Sequence, residues 1–128
     1  MLTKFYKTDE FDIDIANKIA HVFFRFRKNS DKDDIFYECL TSYCTGEALV
    51  FCGAECFAIC QDALMNNKPQ REIIFASGPL KELKALHEFI EEDAVETGVN
   101  KLMIMGSKAW GSVLSGYKNT HVVFEKVL

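Results

Sequence analysis

The apolar positions between residues 72 and 106 change their spacing twice. "EIIFA" is an almost continuous apolar run, which is typical of a buried strand. Apolar residues then recur every three or four positions from Pro79 to about Thr97, which predicts an amphipathic helix, and "KLMIM" is a second buried run. This order predicts two parallel strands joined by a helix that crosses one face of their sheet. The predicted buried face of the helix consists of Leu80, Leu83, Leu86, Ile90 and Ala94.

Both ends of this helix carry residues that commonly begin or end helices. Pro79 suits the first helical position, and Gly78 or Ser77 can cap it. Gly98 suits the stop at the other end, because glycine readily takes the left-handed conformation found there. The sequence therefore predicts a helix of about 19 residues in the middle of the second half of the chain.

The spacing nearer the amino terminus predicts a second amphipathic helix. Asp12 or Asp14 lies near its start, His21 falls off the apolar stripe and is expected to face solvent, and basic residues lie near its end. The segment "DIFYECLTSYC" that follows fits either a short helix or an extended strand. The apolar stripe of this amino-terminal helix consists of Ile15, Ile19, Val22, Phe23 and Phe26.

The middle and the end of the chain show strand and turn patterns. Two apolar runs flank Gly53-Ala54-Glu55, which predicts an antiparallel hairpin, and "MNNKPQ" predicts a loop in which Pro69 ends any preceding strand. "SKAWGSVLSGY" fits a short helix or a turn, and "KNTHVVFEKVL" alternates as a last strand. Together the elements predict a mixed α/β (α+β) fold built on one mixed sheet.

Length and charge narrow the class of protein. The 128 residues predict a single domain spanning 1–128, and a net charge of −4 argues against electrostatic capture of nucleic acid. No apolar run reaches the ~18 residues of a membrane helix, and the first residues lack the order of a signal peptide. We therefore expect a cytoplasmic protein without a membrane or nucleic-acid partner, and we expect the acidic cluster Glu91-Glu92-Asp93 to form a solvated helix face.

Five cysteines fall within 22 residues, at positions 39, 44, 52, 56 and 60. No pair has the C-x-x-C spacing of zinc sites, and no histidine lies between Lys28 and Arg71 to complete one. A cysteine outside the secretory pathway usually packs as a small apolar residue. We therefore predict five free buried thiols and no metal.

The order of motifs in the carboxyl-terminal half resembles that of the GNAT acetyltransferase family, and in particular small GNAT-like proteins encoded by tailed bacteriophages. The resemblance covers about residues 46 to 128 and includes the helix end "FIEEDAVETG". It implies a central mixed sheet with a long helix crossing between two parallel central strands. The residues that carry it are Gly106, Lys108, Trp110, Leu114, Gly116-Tyr117-Lys118 and Lys126-Val127-Leu128.

The resemblance also implies acetyl-CoA as cofactor. Its pyrophosphate would lie on backbone N–H groups at the start of the long helix, and its pantetheine arm would pair with the strand from Glu72 to Ala76. GNAT loops at this point usually carry two or three glycines, whereas this chain has one glycine and a proline that lacks an N–H. We expect Gly78→Val to abolish acetyl-CoA binding and to leave the fold largely intact. The implied cofactor-binding residues are Phe75, Ala76, Ser77, Gly78 and Lys81.

The resemblance leaves the catalytic residues unassigned. Ser112 occupies the position at which a GNAT enzyme often has a tyrosine that acts as the general acid. Glu55 and Glu72 are conceivable general bases, and the sequence does not distinguish between them. Tyr117, Trp110 and His87 fit core packing better than catalysis, and His121 is expected to be exposed.

Two functions remain open at this point. The first is an acetyl-CoA-dependent N-acetyltransferase with a degenerate cofactor loop, acting on a small amine or a protein in the host cytoplasm. The second is a non-enzymatic phage virion or assembly protein that uses the fold to dock other phage proteins.

Overall fold

The computed structural model describes residues 4–26, 33–105, 118–120 and 123–128. These residues form one mixed sheet with helices on both faces, and the spatial order of its strands is β1-β2-β3-β4-β5-β7-β6. The elements are β1 (Tyr6–Thr8), α1 (Ile13–Phe26), α2 (Asp33–Cys44), β2 (Leu49–Cys52), β3 (Phe57–Met65), β4 (Lys68–Ser77), α3 (Leu80–Glu96), β5 (Lys101–Met105), β6 (Lys118–Thr120) and β7 (Val123–Val127).

The predicted parallel pair is confirmed. Strands β4 and β5 pair in parallel, from Gln70 opposite Lys101 to Ile73 opposite Ile104, and α3 connects them. The other described strand pairs are antiparallel, including the predicted β2–β3 hairpin around Gly53. The architecture is therefore the mixed α/β sheet that the sequence predicts, with β4 in the middle.

Two apolar clusters cover the two faces of the sheet. One face packs against α3 through residues that include Leu83, Leu86 and Ile90. The other packs against α1 and α2 through an aromatic cluster in which Phe23 and Phe36 stack at 4.0 Å. Burial on both faces explains why β4 and its neighbours carry near-continuous apolar runs.

The first helix agrees with its predicted stripe. Ile19, Val22 and Phe23 are buried, and His21 is exposed as expected. Asp12 Oδ1 accepts the N–H of Asp14 at 2.8 Å, as a residue at a helix start does. The ambiguous segment that follows is the helix α2.

Several predictions about individual elements are wrong. Pro69 does not end a strand, because β4 already begins at Lys68, and the turn before it is only Asn66-Asn67, both with positive φ. Pro69 is tolerated because it is the second residue of β4 and precedes the point at which β5 joins the sheet. Leu80 is 58% exposed, so it does not belong to the buried face of α3.

The structure also contains strands that the sequence did not predict. β1 pairs with β2 near the amino terminus, and β6 pairs with β7 near the carboxyl terminus. The single last strand predicted for residues 118–128 is instead two strands, β6 and β7, whereas the short helix or turn predicted before it lies outside the described residues.

All five cysteines are free thiols, as predicted, but only four are buried. Cys44 is exposed at the end of α2. Burial raises the pKa of Cys52 to about 11, so this thiol stays protonated at neutral pH. The buried cysteines act as small apolar residues of the two cores.

Candidate functional site

Strand β4 has two halves with different neighbours. Its amino-terminal half pairs with β3 on one side and with β5 on the other, but the pairing with β5 ends at Ile73. Residues 74–77 continue along β3 alone, so among the described residues their other edge has no strand partner. Backbone N–H and C=O groups on such an edge are available to a ligand, and ligands of α/β sheets commonly bind at the carboxyl ends of parallel strands.

A one-residue register shift marks the boundary between these halves. Ile59 lies opposite Phe75, but the next residue, Cys60, lies opposite Ile73, so Ile74 is the extra residue in β4. Both Ile74 and Phe75 therefore pack on the α1–α2 face of the sheet, whereas Ala76 packs on the α3 face. A bulge of this kind bends a strand away from its neighbour.

The start of α3 lies directly after the open edge. Pro79 is the N-cap residue rather than the first helical residue, and no side chain of the described residues caps the helix there. The first intrahelical bond runs from the N–H of Leu83 to the carbonyl of Pro79 at 2.9 Å. The N–H groups of the three residues between them thus have no acceptor within the helix, and such groups suit an anion.

Gly78 is fixed by its neighbours in the turn between β4 and α3. Its φ is +138°, and an added Cβ would lie 2.6 Å from Cys56 Cβ and 2.7 Å from the carbonyl oxygen of Glu55. A side chain here would therefore disturb the fold as well as any ligand, and the expectation that the fold would remain intact is wrong. Glycine is required by packing and by its positive φ.

The remaining predicted cofactor-binding residues lie at the end of β4 and in the first turn of α3. Phe75 is half-buried and contacts Phe23, Phe36 and Phe57, while Ser77 is half-buried at the end of β4. Lys81 is exposed in the first turn of α3, where its charge can reach an anion bound to the helix start.

The two candidate bases occupy different surroundings. Glu55 is half-buried in the β2–β3 turn, where its carboxylate accepts a hydrogen bond from Arg25 at 3.2 Å. Glu72 is half-buried on β4, two residues before the extra residue of the bulge. It lies on the α1–α2 face of the sheet, because side chains alternate along a strand and its neighbours Arg71 and Ile73 both lie on the α3 face. Glu72 therefore lies on the strand that carries the open edge, whereas Glu55 lies on the neighbouring hairpin turn.

His87 belongs to the core, as expected. Its ring is buried against the sheet, and Nε2 lies 2.9 Å from a carboxylate oxygen of Glu91, whose other oxygen binds Lys126 at 3.0 Å. With Ala76 and Leu83 it borders a cavity of about 10 Å³, which has space for about one water molecule. This cavity is a packing defect under the site rather than a ligand pocket.

The first half of β4 contains a buried charged group that the sequence pattern does not predict. Arg71 is 1% exposed, and its guanidinium binds Asp62 at 2.7 Å and Asp93 at 2.8 Å. Asp93 also binds Lys7 at 3.1 Å. The prediction that Glu91-Glu92-Asp93 form a solvated face is therefore wrong for Glu91 and Asp93, and only Glu92 is exposed. The sequence feature that could have indicated this buried ion pair is a single arginine at the start of an apolar strand.

Other candidate residues lie outside the described part of the chain. These are Trp110, Ser112, Tyr117 and His121. Within the described residues, no group of three or more metal-ligating side chains comes together. No helix there is both long and apolar enough to cross a membrane.

Comparison with known proteins identifies the fold. No protein-family model matches the chain, and no curated protein matches it in sequence. Solved structures do match. An aminoglycoside acetyltransferase from an uncultured soil metagenomic sample, solved with sisomicin, superposes with a TM-score of 0.67 at 13% identity, over 94% of this chain and 92% of that one.

Two further structures extend this similarity. A GNAT family acetyltransferase from Brucella melitensis, solved with acetyl-CoA, has a TM-score of 0.62 at 14% identity, over 98% of this chain and 88% of that one. AtaT complexed with acetyl-methionyl-tRNAfMet has a TM-score of 0.57 at 6% identity, over 98% and 95%. The chain has the GNAT fold. Proteins of this fold therefore include one solved with an aminoglycoside and one solved with a tRNA.

Proposed function

We propose that this protein binds acetyl-CoA along the open edge of β4 and at the start of α3, and transfers the acetyl group to an amine. The observation that carries the proposal is that, among the described residues, the pairing of β4 with β5 ends at Ile73, within a GNAT fold. The open edge offers backbone groups to an extended ligand arm, and the uncapped helix start that follows it offers N–H groups to a phosphate.

The described residues fit such a ligand mainly through their backbone. Residues 74–77 would hold the pantetheine arm, the first-turn N–H groups of α3 would hold the pyrophosphate, and Lys81 would add a positive charge. When bound, acetyl-CoA supplies an acetyl group as a reactive thioester. Glu72, half-buried on β4 near the bulge, would accept the proton that the amine loses as its nitrogen bonds to the acetyl carbon. Coenzyme A would leave as a thiolate and take up a proton from water.

The test is an isothermal titration of the purified protein with acetyl-CoA. The proposal predicts saturable binding of one molecule per chain with a Kd in the range of about 1 μM to 1 mM, where KM values of enzymes commonly fall. Glu72→Gln should bind as tightly as the wild type and lose acetyl transfer to a panel of amines. No heat of binding at millimolar acetyl-CoA would contradict the proposal.

One observation favours a second candidate function, in which the fold serves as a non-enzymatic docking module of a phage particle. The turn between β4 and α3 has a single glycine and a proline without an N–H, so it offers fewer donors than a glycine-rich loop. The resemblance of the carboxyl-terminal segment to small phage proteins supports the same alternative. It predicts no acetyl-CoA binding, and co-purification of the protein with assembled phage particles would support it.

A further inference from the structure

The start of α3 has an unusual arrangement of its first-turn glutamate. Glu82 is the third helical residue after the N-cap Pro79, the position from which a glutamate often reaches back to the N–H of the N-cap residue. Pro79 has no N–H, so this bond cannot form. Glu82 Oε1 instead accepts the N–H of Glu55 at 2.8 Å, and Glu55 lies in the turn between β2 and β3.

This turn, residues 53–56, is closed and closely packed. The N–H of Gly53 donates to the carbonyl of Cys56 at 3.0 Å, and Lys18 of α1 donates to the carbonyl of Gly53 at 2.7 Å. An added Cβ on Gly53 would lie 2.6 Å from Glu82 Oε1. The 53–56 turn therefore bonds to α1 on one side and to the start of α3 on the other.

The same turn contacts the glycine before α3. Atoms of Glu55 and Cys56 occupy the space that a Cβ on Gly78 would need, as close as 2.6 Å. Burial, followed by the hydrogen bond to Glu82, raises the pKa of Cys56, so the neutral thiol persists beside this carboxylate. Glu82 thus bonds to the same turn whose atoms lie against Gly78.

We propose that Glu82 is the positioning residue of the anion site, because its carboxylate holds the 53–56 turn against Gly78 and thereby fixes the first-turn N–H groups of α3. This inference rests on the proposed function for the ligand, but the contacts that carry it are within the protein. It assigns a role to a residue that does not itself need to touch the phosphate.

The negative charge of Glu82 and its hydrogen bond to Glu55 have opposite expected effects on the binding of a phosphate. A carboxylate in the first turn stabilises the helix, yet it repels a phosphate bound nearby. A substitution that removes the charge but still accepts the hydrogen bond from the Glu55 N–H separates the effect of the charge from the effect of the hydrogen bond. Glutamine has a carbonyl oxygen at the same distance from the backbone, so Glu82→Gln retains the acceptor and removes the charge.

The experiment compares Glu82→Ala, Glu82→Gln and the wild type by titration with acetyl-CoA. Glu82→Ala should weaken binding about tenfold, the effect of about one lost hydrogen bond, whereas Glu82→Gln should bind at least as tightly as the wild type. Glu92→Ala is the matched control, since Glu92 is exposed on α3 about 15 Å further along the helix and its removal should leave the affinity unchanged. Equal affinity of Glu82→Ala and wild type, or equal weakening by Gln and Ala, would overturn the proposal.

A second readout does not depend on acetyl-CoA. Amide hydrogen exchange of Glu55 should be at least tenfold faster in Glu82→Ala than in the wild type and unchanged in Glu82→Gln, with thermal unfolding confirming that all variants are folded. If the wild type binds no acetyl-CoA, the proposed function fails and the exchange of Glu55 alone decides whether Glu82 holds the turn. Unchanged exchange in Glu82→Ala would overturn that role.

Discussion

The two halves of strand β4 differ in their strand partners and in how their polar groups are paired. The amino-terminal half, residues 68–73, lies between β3 and, from Gln70 onward, β5, and contains the buried Arg71 with its two carboxylate partners. The carboxyl-terminal half, residues 74–77, begins at a bulge, pairs with β3 alone and leads to an uncapped helix start. From Gln70 onward the first half pairs with a strand on each side, whereas the second half has a strand partner on one side only among the described residues.

This difference shows how one strand can serve both the fold and a site. Unpaired backbone groups cost stability when buried, so a fold retains them where a ligand or solvent completes their bonds. The first half supplies the rigidity, because Arg71 links β3, β4 and α3. The second half can then remain open without loss of the sheet.

The largest expected effect concerns the first half. Arg71→Ala should lower the free energy of unfolding by about 3–5 kcal/mol, because it removes the buried partner of two carboxylates and leaves Asp93 with Lys7 alone. Urea unfolding measures the change. Arg25→Ala is the control, since its ion pair with Glu55 is exposed and should contribute no more than about 1 kcal/mol. Equal losses in both variants would mean that the buried network does not stabilise this half.

Gly78, in the turn after the second half of β4, should tolerate an added side chain poorly. Gly78→Ala should lower the free energy of unfolding by about 2–4 kcal/mol, because it combines a positive φ with a steric clash against Cys56. Gly98→Ala is the matched control, with a φ of +82° and nothing within 4 Å of the added Cβ, and should cost only about 1 kcal/mol. Similar losses at both positions would show that Gly78 is required by its backbone conformation alone.

Much of the fold could be predicted from local patterns. The strand–helix–strand unit was predictable because Pro79 and Gly98 bracket a periodic stripe between two apolar runs. The strand β1 was not predictable, since three residues show no periodicity and their pairing partner lies more than 40 positions away. Leu80 was assigned to the buried face because its spacing fits, but it precedes the part of α3 that lies over the sheet.

The candidate site was less predictable than the fold. The sequence places residues 75–78 and Lys81 next to one another, but it does not show that Ile74 is an extra residue or that β5 separates there. The bond between Glu82 and Glu55 joins residues 27 positions apart, and the packing of Cys56 on Gly78 is equally non-local. Such tertiary contacts have no signature in local spacing, and neither has the pairing of Arg71 with Asp93.

The pH dependence of stability probes the junction between the halves, where His87 packs near Ile73 and Ala76. Burial lowers the pKa of His87, and its neighbours Glu91 and Lys126 act in opposite directions on it. As the pH is lowered, His87 therefore takes up a proton in the unfolded chain at about pH 6.5 and in the folded protein only at a lower pH. The free energy of unfolding consequently keeps its full value above about pH 6.5 and decreases below it.

The wild type should lose up to about 1.4 kcal/mol of unfolding free energy for each pH unit below about pH 6.5, until the folded histidine titrates. Urea unfolding at about pH 7.5 and about pH 5.5 measures the loss, which should be smaller in His87→Gln. His21 is exposed, so His21→Gln should behave as the wild type does. An identical pH dependence in wild type and His87→Gln would contradict this assignment.

The smallest expected effect concerns the charge at the start of α3. Lys81→Ala should weaken acetyl-CoA binding about threefold, because an exposed charge near a bound anion contributes about 0.3–1 kcal/mol. Lys84→Ala is the matched control, since Lys84 is also exposed but lies beyond the first helical turn. The difference should shrink as salt is added. A larger effect of Lys84 would place the anion elsewhere.

The measurement that tests the central claim most directly is amide hydrogen exchange along β4 and α3 with and without saturating acetyl-CoA. If the second half of β4 and the helix start form the cofactor site, acetyl-CoA should slow exchange at residues 74–77 and at Leu80, Lys81 and Glu82. Exchange at residues 70–73, which already lie between two strands, should change little. Slower exchange confined to 70–73, or no change along β4 at saturating acetyl-CoA, would contradict the account.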